Sequence, residues 1–196
     1  MDAEIGEDYR DAVLPGARWE KRQFVRCDFT EADLRGLTTQ GCTFDECDFT
    51  RADLGESAHE TSAFRSCTFD RTVLAQASWR GCSLLGSSFV DCRLRSITVR
   101  DTDFTLVSLG RTDLRKLDLS GLRFRDANLV ESNLTEVNLR DADLRGARML
   151  GADLSGADLR GAKLDANAFV QAKFPGARVD VDTALAFAAA HGLVVS

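Results

Sequence analysis

Large apolar residues recur at every fifth position from Leu14 to Val179, a period that no continuous helix or strand can keep on one face. The series runs Leu14, Trp19, Phe24, Phe29, Leu34, Thr39, Phe44, Phe49, Leu54, His59 and on to Leu164, Phe169, Phe174 and Val179. Among its 34 positions only Thr39 and His59 are not large and apolar, and it collects both tryptophans and eleven of the twelve phenylalanines. On a helix, five residues rotate the chain by about 500°, leaving successive members about 140° apart. On an unbroken strand an odd step flips the face. The period therefore predicts a short extended segment and then a corner, repeated, so that each segment turns the same residue inward.

The residue two before each member is Ala, Ser, Thr or Cys at most steps, with Arg22, Leu37, Ile97, Leu117 and Leu122 as larger exceptions. A spacing of two places both side chains on one side of an extended backbone. Gly16, Gly36, Gly41, Gly81, Gly86, Gly121, Gly146, Gly151, Gly156, Gly161 and Gly176 all stand two after a member, where a corner uses positive φ. Taking every fourth member gives coherent columns: Leu14, Leu34, Leu54, Leu74, Leu94, Leu114, Leu134, Leu154 in one, Phe29, Phe49, Phe69, Phe89 in another. Every third member mixes Leu14, Phe29, Phe44 and His59, so four sides per coil are expected. That makes about 8.5 coils, or a rod of roughly 40 Å at the spacing of paired strands. "LPGAR" and "FPGAR", which hold both prolines, begin at Leu14 and Phe174. The unbroken phase between them predicts no inserted loop whose length is not a multiple of five.

The expected organisation is an acidic N-terminal extension over 1–11, a β-coil over 12–181 and a C-terminal capping helix and dimerisation tail over 182–196. In the tail, "DTALAFAAAHG" offers Asp182 as N-cap and Gly192 as the stop. The run from Ala184 to Ala190 is apolar all round. One side can plug the open coil, as a solenoid end requires, and the other asks for a second copy. The dimer interface is expected at Leu185, Phe187, Ala188, Leu193, Val194 and Val195, joining two rods tail to tail.

No stretch approaches the roughly 20 apolar residues of a membrane span, and the acidic start does not look like a secretory leader. The net charge of −6 argues against direct nucleic-acid binding. A soluble cytoplasmic protein is expected. Cys27, Cys42, Cys47, Cys67, Cys82 and Cys92 all occupy the small inward slot, which reads as reduced cysteine used as a small hydrophobe. Thr39 and His59 are neighbours in one column between Trp19 and Trp79, and read as a repacked pair or as a partner-facing patch. His59 has no second histidine near it, so no metal site is expected. Phosphate loops, zinc motifs and nucleophile elbows are missing, so neither an enzyme nor a cofactor is expected. The many Asp residues before central Leu or Phe read as outward-facing and solvated.

The repeats, with "SAFRSCTFDRT" (62–72), "CRLR" (92–95), "DFTLVSLG" (103–110) and above all "GARVDVDTALAFAAAHGL" (176–193), resemble the pentapeptide-repeat family and its mycobacterial fluoroquinolone-resistance branch. The resemblance implies an all-β fold: a right-handed quadrilateral parallel β-helix with a short C-terminal α-helix. It further implies a homodimer that binds DNA gyrase as a mimic of duplex DNA and protects it from fluoroquinolones, without chemistry. The unbroken register departs from relatives with projecting loops, so no loop-dependent mechanism carries over. Formal charge summed over the repeats of the four sides is 0, 0, +1 and −2, so no side is an acidic stripe. An 80 Å length of duplex carries roughly 50 charges, far more than two copies of this chain. Mimicry would then rest on width, length and selected carboxylates, with Asp113, Asp118, Glu131, Glu136, Asp141, Asp153 and Asp158 as candidates. The alternative from the same fold is a repeat scaffold for another protein partner.

Overall fold

A computed structural model describes residues 3–94 and 96–194. The chain divides into two compact units, Met1–Ser108 and Leu109–Ser196. Each winds as a right-handed, four-sided parallel β-helix in which a residue is paired with the one 20 positions later.

In the first unit two of the four sides are long enough to form sheets. The strands, in chain order, are β1 (Glu4–Ile5), β2 (Arg18–Glu20), β3 (Gln23–Val25), β4 (Thr38–Gln40) and β5 (Thr43–Asp45). They continue with β6 (Ala58–Glu60), β7 (Ala63–Arg65), β8 (Ser78–Arg80) and β9 (Thr98–Arg100). One sheet has the order β1-β3-β5-β7 and the other β2-β4-β6-β8-β9. The remaining two sides are joined by single bridges such as Asp28↔Asp48 and Asp33↔Asp53.

The columns expected from the sequence become stacks of rings. Phe24, Phe44 and Phe64 lie nearly parallel at 4.8 and 4.5 Å. Phe29, Phe49, Phe69 and Phe89 do the same at 4.9, 5.0 and 4.6 Å. Rings that stack this closely bury their faces on each other and meet the neighbouring column edge-on, the arrangement aromatic quadrupoles favour. All except Phe89 are fully buried.

Residues 3–11 of the expected extension over 1–11 do not lie outside the coil. Glu4 pairs with Phe24, Asp8 bridges Asp28, and Tyr9 stacks on Phe29 at 4.8 Å. Tyr9 lies on the five-residue phase, one step before Leu14, so this segment is a partial first coil. Arg22, the odd large residue in a small slot, lays its guanidinium 4.8 Å from the Phe24 ring and 5.2 Å from Trp19, and ion-pairs with Glu4 at 2.5 Å. Tyr9 also donates to Glu4. Cation–π contact and one carboxylate thus cover the aromatic column where the coil begins.

Every corner from Gly6 to Gly161 has positive φ, at glycine and non-glycine alike, Leu106 (φ 61) and Glu131 (φ 56) included. Two kinds of corner share this geometry. In one, the amide of the next small inward residue donates to the carbonyl three before it, closing a β-turn, as in Ala32 to Phe29 (3.1 Å) and Ala52 to Phe49 (3.0 Å). In the other that bond is missing, at Lys21, Arg26, Gly41, Glu46, Thr61, Ser66, Gly81, Asp91 and Asp101. The residues following these open corners are Arg22, Cys27, Cys42, Cys47, Ser62, Cys67, Cys82, Cys92 and Thr102, every one able to hydrogen-bond. Cys67 Sγ donates to the carbonyls of Phe44 and Arg65, and Ser62 Oγ accepts from the Cys42 amide while donating to the Glu60 carbonyl. The cysteines, all free thiols, therefore do more than fill space: they occupy corners whose backbone groups lack their turn partner.

Thr39 and His59 form a polar knot within this core. His59 Nδ1 meets Thr39 Oγ1 at 2.9 Å, its Nε2 meets Ser57 Oγ at 3.0 Å, and Thr39 Oγ1 donates to Ser62 Oγ at 3.0 Å. The imidazole packs 4.3 Å from Trp79. Burial pushes its pKa down to about 3, so the ring is neutral. The repacked pair, not a bulge, is the outcome.

In the second unit the corners from Arg111 to Gly161 are closed turns, and Leu replaces most of the aromatic rings. Among the described residues the extended sides are interrupted once before the terminal helix, by a helix that the five-residue phase does not announce. Helix α1 (Ala166–Gln171) forms one side of the last coil and keeps Phe169 in its inward position, 4% exposed. Helix α2 (Val181–Ala190) follows.

Candidate partner-binding surface

The second unit carries both groups of candidate residues. Its Asp and Asn side chains repeat a local device. Asp113, Asp118, Asn133, Asn138, Asp143, Asp153 and Asp158 each accept, through Oδ1, from the backbone amide two residues on, at 2.9 to 3.3 Å. These are Asx turns, which explains why Asp precedes the central Leu so often. Where Arg follows, the guanidinium closes back on the same carboxylate: Arg115 on Asp113 at 2.6 Å, Arg145 on Asp143 at 2.6 Å and Arg160 on Asp158 at 2.5 Å. The Arg160 hydrogen bond holds Asp158 down at about 2, and Ser155 lowers Asp153. Both are ionised at neutral pH, and neither is simply solvated.

Bridges place Asp113, Asn133, Asp153 and Lys173 in one column, and Asp118, Asn138, Asp158 and Arg178 in the next. Glu131, Glu136 and Asp141 stand at the three corners that bound these two sides. The seven candidates are thus brought onto two adjoining sides, interleaved with cations. Glu131 is met by Arg111 at 2.7 Å, Glu136 by Lys116 at 3.8 Å, and Asp158 also by Arg140 at 3.7 Å. Asn138 donates to Asp118 at 2.8 Å. The surface is charged but mixed, and a basic partner must compete with these resident cations.

The C-terminal end is built differently. Asp180, not Asp182, is the N-cap of α2: one carboxylate oxygen accepts from the Thr183 amide (2.8 Å) and the other from the Gly161 amide (2.7 Å). Asp182 lies in the first turn, where its charge suits the helix dipole. Asp165, just before α1, takes the Gly146 amide in the same way at 2.6 Å. At earlier corners such an amide meets a carbonyl of the next coil, as Gly121 meets Arg140. At the far end of α2, Leu193 N bonds Ala188 O and Gly192 N bonds Ala189 O, with Gly192 at φ 78, a Schellman stop.

Phe187 turns inward, edge-on to Phe169 at 5.8 Å and Phe174 at 6.0 Å. With Ala177, Val179 and Ala184 these rings line a cavity of about 200 Å³. Of the predicted interface residues, Leu185, Leu193 and Val194 are exposed, Phe187 remains 38% exposed beside its contacts with the plug, Ala188 is half-buried, and Val195 lies outside the described residues. Val181 joins the exposed group and was missed, because the sequence places it at the end of the repeats. Among the described residues no helix is long and apolar enough to cross a membrane.

The chain matches the family model described as pentapeptide repeats, in eight copies over residues 23–57, 67–105 and 132–166. Pentapeptide repeat protein MfpA of Mycobacterium tuberculosis is 51% identical over 197 aligned positions, covering 100% of this chain and 97% of its own. Among solved structures, QnrB1, described as a plasmid-mediated fluoroquinolone resistance protein, superposes with a TM-score of 0.85 at 22% identity, over 99% of this chain and 97% of its own. HetL of the cyanobacterium Nostoc, a pentapeptide repeat protein involved in heterocyst differentiation regulation, gives a TM-score of 0.65 at 25% identity, over 88% and 85%. At the identity of QnrB1 the likeness concerns the fold.

Proposed function

The chain belongs to the pentapeptide-repeat family, and on that premise we propose that it binds DNA gyrase in the cytoplasm as a mimic of duplex DNA and protects it from fluoroquinolones. The observation that carries this reading is the 51% identity to MfpA over the whole chain, since it extends through the tail, where repeat periodicity cannot generate it. The protein acts by occupying a surface. Carboxylates on the two sides that hold Asp113, Asp118, Asp153 and Asp158, with Glu131, Glu136 and Asp141 at their corners, take the place of backbone phosphates. Basic residues of the enzyme exchange with Arg111, Lys116 and Arg160 for these acceptors, so the interaction weakens as salt rises.

A homodimer through Leu185, Leu193 and Val194, with Val181 at its edge, extends the mimic to a second copy. Leu185→Glu with Val194→Glu leaves the Phe187 plug in place and is expected to give a monomer by light scattering; a persistent dimer rules this interface out. Function is tested by adding the purified protein to gyrase with a fluoroquinolone and following drug-stabilised DNA cleavage. Cleavage falls with protein concentration, less so at high salt. Unchanged cleavage at several micromolar, with gyrase shown to be active, removes the proposal.

The interleaving of carboxylates with arginines favours a second reading, a scaffold for a different protein with a mixed surface of its own. Charge reversal at Asp113, Glu131, Glu136 and Asp158 separates the two, because only the gyrase reading predicts lost protection.

A further inference from the structure

Arginines elsewhere on this protein are mostly matched to a carboxylate, which makes one neighbouring pair in the first unit unusual. Arg80 on β8 and Arg100 on β9 are register partners, so their backbones stand one strand spacing, about 4.8 Å, apart. Both are exposed, and neither has an ion pair among the described residues. Arg18, Arg26, Arg93, Arg148 and Arg178 also lack one, but none of these has another arginine on the next rung. Like charges directly opposite each other on a sheet destabilise it, and among the described residues no carboxylate pairs with either. Glu60, the register partner of Arg80 on the other side, stays beyond ion-pair distance.

Ser78 and Thr98, two residues before each arginine and on the same face, are also register partners. Arg80, Arg100, Ser78 and Thr98 line one concavity of about 110 Å³, with Glu60 and Ala58 at its other end. That space corresponds to a few water molecules, enough for one small oxyanion. Two guanidinium forks and the Thr98 hydroxyl, joined by the Ser78 hydroxyl once it turns from the Ser57 carbonyl 3.5 Å away, supply more donors than the two oxygens of a carboxylate can accept. They match the four oxygens of a phosphate group. Glu60 closes the site to a second negative group.

We propose that Arg80 and Arg100, with the hydroxyls of Ser78 and Thr98, form a binding site for a single phosphate group, either free phosphate or the phosphate of a nucleotide. The site lies on the first unit and is independent of the gyrase reading. Inorganic phosphate is titrated into the full chain at constant ionic strength, following the arginine side-chain N–H signals by NMR. The expected result is a saturable shift confined to Arg80 and Arg100, with half-saturation on the order of 1 mM. Arg80→Gln and Arg100→Gln each abolish it, and Arg65→Gln leaves it intact. A shift that grows linearly, that chloride reproduces, or that survives both glutamine variants overturns the site. Parallel titration with AMP, which carries one phosphate group, distinguishes the sources: tighter binding than inorganic phosphate assigns a nucleotide, and equal or weaker binding assigns free phosphate.

Discussion

The two units solve the same winding problem with different residues. In the first, aromatic rings fill the core, two sides lengthen into sheets, and many corners lack the turn hydrogen bond. In the second, Leu fills the core, corners from Arg111 to Gly161 are closed turns, and the sides reduce to single bridges. The contrast teaches what the small inward slot is for. Behind a closed turn, Ala142, Ala147, Ala152, Ala157 and Ala162 suffice, because the backbone is already satisfied. Behind an open corner the slot must carry a donor or acceptor, and cysteine, a small hydroxyl residue or, after Lys21, Arg22 appears there.

Core truncation gives the largest test of this contrast. Phe44→Ala removes a ring stacked on both neighbours and is expected to cost about 3–5 kcal/mol. Leu134→Ala in the second unit should cost somewhat less, about 2–4 kcal/mol. Urea unfolding followed by tryptophan fluorescence reports the first unit, which holds Trp19 and Trp79, and hydrogen exchange reports the second.

Acid should separate the units next. His59 is neutral in the fold, with a pKa near 3 against an ordinary 6.5, so its contribution is full above about pH 6.5 and is lost as pH falls toward 3. The expected slope is at most roughly 1.4 kcal/mol per pH unit, seen in the first unit and flattened in His59→Phe. In the second unit Asp143 and Asp158 are held at about 2, so what they contribute is present above about pH 4 and lost only below it. Their arginine partners are exposed to solvent, and the effect of each pair is correspondingly small. Equal pH dependence of the two units would contradict this assignment.

The corner rule predicts that Ser62→Ala costs about 1–3 kcal/mol, because it strips the Cys42 amide and Thr39 of a buried partner. Ser132→Ala, behind the closed corner where the Ser132 amide still reaches Leu129, should cost about 1 kcal/mol or less. Similar costs at both sites would show that open and closed corners do not differ. The smallest effect is a gain. Leu106 is 57% exposed at φ 61, and Leu106→Gly is expected to stabilise by about 0.5–1 kcal/mol, seen as a raised urea midpoint.

The inward columns were legible in the sequence because burial leaves a periodic mark: a position that always faces the core is always large. The four-sided coil follows from that mark alone. Corners were legible only in part. Glycine advertises positive φ, but Glu131, Leu106 and others adopt it with no such signal, since the stacked neighbours on both sides hold the backbone there. Helix α1 was hidden because Phe169 keeps the phase while its neighbours change conformation. The partial first coil was hidden because Glu4 stands where an apolar residue was expected, its charge taken up by Arg22. The cap at Asp180 was missed for a third reason: its second partner, the Gly161 amide, lies in the preceding coil and is invisible to local pattern. Among the candidate carboxylates the sequence indicates position and sign, but the competing arginines emerge only from the winding.

The carboxylates of Asp165 and Asp180 have a consequence for growth. A parallel ladder has no natural length, and its last rung offers the same open donors as every rung before it, a template on which another chain could continue. Here two of those donors, the amides of Gly146 and Gly161, are taken by side chains instead of by a following coil. The terminus is thereby made unextendable at these points: an incoming strand would find negative charge where it needs a hydrogen to bond. Two aspartates help make a repeating sequence finite, and keep an association of copies from becoming a fibre.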